Sequence, residues 1–176
     1  MRLKLIIALV AVVAISCGTG QPKKTGRLVA GVKAPAFALG DIFGTTEINS
    51  SKVFYSNQAT VVVIWSMACP TCREALLEVE RLYQEYSSRA VAFVGINFDI
   101  ENIQGVKAFI KGEGISFPML WDKRTRVARS YRAADYTFSI FVVNSDGRIA
   151  FAQYDHPPDL EQRIKRELDK LVKRPR

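Results

Sequence analysis

Residues 61–65, Val61-Val62-Val63-Ile64-Trp65, form an unbroken run of β-branched and aromatic side chains. Such a run suits a strand buried on both faces, because a half-exposed strand alternates apolar with polar residues. Four residues on comes Cys69-Pro70-Thr71-Cys72, and Leu76, Val79, Tyr83 and Tyr86 then recur at helical spacing. Two thiols therefore stand where a buried strand hands over to a helix covering about 70–86. A thiol at a helix N-terminus meets unpaired N–H groups and the positive end of the helix dipole, and both favour thiolate over thiol. Cys69 is expected at the exposed end of the motif, with Cys72 one turn in and more buried. Pro70 has no N–H to lose in a first turn and presets φ for a helix.

The flanking pattern extends this unit. Residues 36–39 and 45–48 bracket Gly40-Asp41-Ile42-Phe43-Gly44 and read as a short hairpin. Residues 91–98 form a second buried strand. Ile103, Val106 and Ile110 mark a second helix that stops at Gly112 and Gly114. Pro118 leads into a short strand at 119–121, and a short helix covers 124–131. Strands at 139–143 and 149–154 are joined by Asn144-Ser145-Asp146-Gly147, a turn with Gly where positive φ is needed. Leu160, Ile164, Leu168 and Leu171 face one way on a final helix, leaving Arg163, Lys165, Arg166 and Lys170 on its solvated side. Strands alternating with helices imply an α/β fold, a central sheet covered on both faces. The terminal hairpin makes that sheet mixed.

The 25 Lys and Arg against 17 Asp and Glu give a net charge of +8, and apolar residues make up 48% of the 176. This balance excludes collagen, coiled coil and wholesale disorder. No aromatic residues interleave the C-terminal bases, so nothing points to a nucleic-acid partner. Zinc needs four ligands, and beyond the motif the domain offers one His, His156, and no further Cys, so carboxylates would have to complete a site. As a staple, a four-residue loop restricts the unfolded chain little. A redox-active dithiol is the reading the context favours, with no organic cofactor and no resident metal.

The first 16 residues read as a removable leader. Met1-Arg2-Leu3-Lys4 is basic, and residues 5–15 are apolar throughout, too short a run to span a bilayer permanently. Ala14-Ile15-Ser16-Cys17 resembles the lipobox of bacterial lipoproteins, with Ala14 where Leu is usual. That resemblance implies a signal peptide over 1–16, lipidation of Cys17, and a membrane-anchored, extracytoplasmic, periplasmic-side chain. Residues 17–28 serve as a tether and residues 29–176 as the domain.

The segment from Val61 to Glu74, with Trp65-Ser66-Met67-Ala68 ahead of the CPTC motif, resembles the active-site signature of thioredoxin-like proteins. It is most similar to the extracytoplasmic TlpA/ResA type, relatives of the AhpC/TSA redoxins. Gly31-Val32-Lys33-Ala34-Pro35-Ala36-Phe37, Gly114-Ile115-Ser116-Phe117-Pro118 and Asp146-Gly147-Arg148-Ile149 are similar to other landmarks of that branch. The resemblance implies a thioredoxin-like fold with an N-terminal β-hairpin extension, and thiol–disulfide exchange with protein substrates. Cys69 is then the nucleophile and Cys72 the resolver, with Pro70 and Thr71 supporting. It further implies a reductant of the cytochrome c maturation type. Its electrons must come from a membrane or periplasmic donor protein. The branch often carries a proton-moving acid after the second strand. Asp99 and Glu101 are both candidates, and a buried carboxylate there could act as base for Cys72.

Two positions depart from the family. Ala68 replaces the usual aromatic residue before the first Cys. Phe138, preceded by Thr137, stands where the family has a cis-proline facing the dithiol. A cis bond before a non-proline residue costs about 2.5–4 kcal/mol, so a trans bond and a reshaped loop are expected. Thioredoxin-fold copper carriers also lack this proline, but use a His in this loop, where this chain has Asp135-Tyr136-Thr137. His156 is expected in a surface turn before Pro157-Pro158. A peroxiredoxin-like peroxidase would need Thr three residues before Cys72, where Cys69 stands, and an Arg, for which Arg132 is nearest.

Overall fold

A computed structural model of the chain describes residues 26–44, 46–136 and 138–172. The leader, Cys17, most of the tether, Thr45, Thr137 and the last four residues lie outside them. Among the described residues no helix is long and apolar enough to cross a membrane.

The first elements are a two-stranded antiparallel ribbon, β1 (Ala38–Gly40) and β2 (Glu47–Asn49), with Leu39 opposite Ile48. Helix α1 (Ser50–Ser56) follows at once, an element that sequence periodicity does not announce. Local and tertiary contacts create it. The Asn49 side chain accepts the Ser51 N–H, the Ser50 hydroxyl accepts the Phe37 N–H at 2.8 Å, and buried Phe54 meets Phe37 edge-on.

Strand β3 (Ala59–Trp65) is buried at all seven residues. It starts two residues before the apolar run, at Ala59 and Thr60; the buried Thr60 hydroxyl donates to the Val53 carbonyl. Helix α2 (Cys72–Tyr86) comes next, then a single 3-10 turn (Ser87–Arg89) and β4 (Val91–Asn97). Helix α3 (Ile103–Gly112) is capped by Asn102, which accepts the Gly105 N–H. Strand β5 (Met119–Trp121) and helix α4 (Arg126–Ser130) follow; the latter is shorter than expected because Thr125 takes a left-handed φ of 52° ahead of it. The hairpin β6 (Phe138–Asn144) and β7 (Ile149–Gln153) leads to helix α5 (Leu160–Leu171).

The main sheet has the order β5-β4-β3-β6-β7. β3, β4 and β5 run parallel, β6 runs against β3, and β7, antiparallel to β6, runs the same way as β3. One face carries Val61, Val63, Trp65, Phe93 and Ile140 under α2, α3 and α5. The other carries Val62, Ile64, Val94, Ile96 and Phe141 with Phe54 of α1, Val127 of α4 and Tyr131. The N-terminal stretch touches both edges of this sheet. The Ile42 N–H donates to the Met119 carbonyl beside β5, and residues 31–34 bond along the start of β7.

Three of the bases of α5 are engaged by carboxylates. Arg163 pairs with Asp159, Lys165 with Glu85, and Lys170 with Glu167, each within 2.8 Å.

Gly95 marks the tightest packing between β4 and β5. A Cβ there would collide with Met119 Sδ and press on the Phe117 ring. Gly95→Ala is expected to destabilise the domain by about 1–3 kcal/mol. The check is a lower urea midpoint with an unchanged slope.

Candidate active site

The loop 66–71 joins the fully buried β3 to α2 and carries the motif. The Cys69 N–H donates to the Ser66 carbonyl at 3.2 Å and the Cys72 N–H to the Cys69 carbonyl at 3.4 Å. This closes a turn with Pro70 in its second place, where a fixed φ suits it. The first bond of the helix runs from the Ala75 N–H to the Thr71 carbonyl, so α2 starts at Cys72 and Pro70 lies ahead of it. Cys69 and Cys72 are joined in a disulfide, with their Cα atoms 5.2 Å apart. Cys69 is 8% exposed and Cys72 3%. The expected contrast between an open and a sheltered thiol is therefore slight: the turn folds Cys69 onto Cys72, and both join the core under α2. The Thr71 hydroxyl lies 3.8 Å from Cys69 Sγ.

A carboxylate fixes the loop from below. Asp99 Oδ1 accepts the Ser66 hydroxyl at 2.6 Å, and Oδ2 accepts the Met67 N–H and the Asn97 side-chain amide, both at 2.7 Å. Ser66 Oγ in turn accepts the Ala68 N–H at 3.1 Å. The Trp121 indole N–H donates to the Asp99 carbonyl at 2.8 Å. Glu101 lies exposed, two residues further out. Sequence reasoning missed Ser66 and Asn97. A Ser directly after a buried strand, followed by an open turn, is the available signal for the first.

Trp65 is fully buried and packs on Phe109, as a core residue under the motif should. Trp121 is only part buried, with the Lys123 ammonium 4.7 Å over its ring. Phe138 opens β6 directly opposite Trp65 and is 2% exposed. The described residues contain no cis peptide bond, but the bond before Phe138 belongs in part to Thr137, outside them. His156 corrects the sequence reading. Its backbone is in a loop, yet its side chain turns inward to Glu78 of α2 and lies edge-on to Phe138, because the imidazole finds both a carboxylate and an aromatic wall there.

The copper and peroxidase alternatives find little here. Tyr136 accepts a hydrogen bond from Arg27 and packs on Tyr154. Among the described residues no three His, Cys, Asp or Glu side chains gather to hold a metal ion. Arg132 is exposed.

The Asp99 clamp is the main polar tie between β4 and the dithiol loop. Asp99→Ala is expected to cost about 2–3 kcal/mol, since three donors lose a charged acceptor. Urea unfolding reads the loss, and faster amide exchange at Met67 and Ala68 locates it.

The AhpC/TSA family profile matches residues 30–152. The chain is 26% identical over 148 residues to the thiol-disulfide oxidoreductase ResA of Halalkalibacterium halodurans, covering 82% of this chain and 77% of that one. It is 27% identical over 119 residues to sporulation thiol-disulfide oxidoreductase A of Bacillus subtilis, covering 66% and 72%. A chain from Mycobacterium tuberculosis, provisionally named a peroxiredoxin, is 29% identical over 144 residues, covering 75% and 88%. Among solved structures, StoA of Bacillus subtilis superposes with a TM-score of 0.62 at 23% identity, covering 76% of this chain and 96% of that one. A Chlorobium tepidum chain provisionally named thiol:disulfide interchange protein DsbE superposes with a TM-score of 0.73 at 18% identity, covering 84% and 100%. With its mixed five-stranded sheet, its ribbon extension and its disulfide at a helix start, the chain belongs to the AhpC/TSA family, as a thioredoxin-like protein of the TlpA/ResA type.

Proposed function

We propose that this chain reduces disulfides in protein clients outside the cytoplasm, held to a membrane by a lipid on Cys17. The chain is a thiol–disulfide oxidoreductase by family, by fold and by resemblance to ResA and the sporulation oxidoreductase. The observation that carries the reading is the Cys69–Cys72 disulfide at the start of α2.

In the reduced protein the Cys69 thiolate attacks one sulfur of a client disulfide. A bond forms between Cys69 and that sulfur, and the other client sulfur leaves as thiolate and takes a proton. Cys72, deprotonated, then attacks Cys69 Sγ. The Cys69–Cys72 bond re-forms, and the second client thiol leaves. Two electrons and two protons pass to the client. The dithiol of a membrane or periplasmic donor restores them, and no further cofactor is needed. The helix N-terminus favours the thiolate forms. Thr71 supplies a hydroxyl beside Cys69, Asp99 holds the loop, and Phe138, opposite Trp65, borders the site where a client backbone lies. The role fits a thiol reductant of the kind used in cytochrome c maturation.

The test is the reduction potential of the pair, measured by thiol trapping in glutathione or dithiothreitol buffers. A reversible couple below about −220 mV is expected of a reductant. A value near −120 mV makes the chain an oxidant instead, and no reversible couple overturns the reading. Cys69→Ser is expected to abolish exchange, whereas Cys72→Ser accumulates mixed disulfides with clients. Equal residual turnover in both variants contradicts these roles.

The likeness to a chain named as a peroxiredoxin favours a second reading, thiol peroxidase. It is the weaker one, because Thr71 adjoins Cys72 and Arg132 faces solvent. Hydroperoxide consumption by the reduced protein distinguishes the two.

A further inference from the structure

The chain enters its domain at the same end of the sheet as the dithiol. The Leu28 N–H donates to the Tyr154 hydroxyl at 2.7 Å, the Gly31 N–H donates to the Ile149 carbonyl at 2.8 Å, and Lys33 bridges Arg148 in antiparallel register. Residues 28–33 therefore run beside β7 from its C-terminal end back to its start. That C-terminal end is the dithiol end. Gln153 is opposite Ile140 of β6, and Phe138, two residues before Ile140, is opposite Trp65. Arg27 lies there too. Its guanidinium sits 5.0 Å over the Tyr136 ring and 5.4 Å over the Tyr154 ring, and its Nε donates to the Tyr136 hydroxyl at 3.0 Å.

The length of chain ahead of Arg27 restricts how an anchored domain can turn. Arg27 is ten residues on from Cys17. Fully drawn out, that stretch reaches at most about 35 Å. A domain of this size is roughly 38 Å across. With the dithiol end turned to the membrane, the tether spans only the gap between Arg27 and the lipid. With the opposite end turned to it, the tether must run the width of the domain, at or beyond its full reach.

The charge at the dithiol end suits the same orientation. The connection from β5 to β6 starts beside the end of β4, where the Asp122 N–H donates to the Asn97 carbonyl, and it finishes at Phe138. It carries exposed Lys123, Arg124, Arg126, Arg129 and Arg132. None of these bases pairs with a carboxylate among the described residues. Asp122 is buried and accepts the Arg126 and Ala128 N–H groups. With Arg27, the bases outnumber the exposed acids of this end, Glu47, Glu101, Asp135 and Asp155. Ile100, 61% exposed, and Met67, 40% exposed, flank Asp99 on the same side. Free bases beside exposed apolar side chains match a headgroup layer, which offers anionic charge and hydrocarbon together.

We propose that the anchored domain turns its dithiol end to the membrane and rests the β5–β6 connection on anionic lipid headgroups. The proposal rests on the lipid-anchor reading above and deepens it. Thiol partners then reach Cys69 and Cys72 along the membrane surface.

The test uses the processed, lipid-bearing chain in nanodiscs of phosphatidylglycerol and phosphatidylcholine that contain a gadolinium-chelating lipid. Amide NMR signals of Met67, Ile100, Arg124 and Arg129 are expected to broaden more than those of Asn57, Arg89 and Asp146 at the opposite end. Equal broadening at the two ends, or more at the opposite end, overturns the proposal. Arg124→Gln and Arg129→Gln are each expected to lower the ratio of docked to undocked protein about fivefold, read as a smaller difference between the ends. Added salt acts in the same direction. A difference that neither substitution nor salt alters overturns the headgroup contact. Spectra without gadolinium report whether the variants keep the fold. The anchor reading fails by a different measurement, namely a mature chain whose mass shows no lipid on Cys17.

Discussion

Burial of β3 is the constraint on which the rest of the structure depends. Every residue of the strand is shut away from water, and it is paired on both sides, with β4 and with β6. Each fully buried aliphatic side chain contributes roughly 1.5–3 kcal/mol, so a strand covered on both faces is among the costliest elements to displace. The dithiol hangs directly from its end. The position of Cys69 is thereby set by the most stable part of the molecule, while the chemistry takes place in a short turn beyond it.

A second level of control is polar. The Asp99 carboxylate joins the end of β4 to the loop after β3 with short, charge-assisted bonds, and the Trp121 indole ties the same residue to β5. Three parallel strands thus converge at their C-terminal ends on one loop. On the far side of the motif, Glu78 and His156 link α2 to the wall formed by Phe138. The dithiol loop thus has a hydrogen-bonded floor, and Phe138 shares the core cluster of both sulfurs.

The strand–dithiol–helix unit is legible in the sequence because the apolar pattern changes from continuous to helical spacing across the motif. The order of the later elements is legible for the same reason, with Gly and Pro marking the turns. Helix α1 is not, because its seven residues hold a single buried apolar anchor, Phe54, and its cap and core contacts come from neighbours. The choice between Asp99 and Glu101 is not legible either. The donors that distinguish them, Ser66 and Met67, lie more than thirty residues upstream. The inward turn of His156 escapes for the same physical reason: local sequence shows a polar residue before two prolines, whereas its partner belongs to another helix.

The N-terminal stretch that lies against β5 and β7 has a consequence for how copies of this protein coexist. A sheet with open margins offers unpaired N–H and C=O groups to any neighbour. Here the stretch that precedes the domain core occupies part of both margins before a neighbour can. Edge-to-edge pairing is then resisted by the same residues that complete the fold, and loosening that stretch would bare those parts of both margins to another copy.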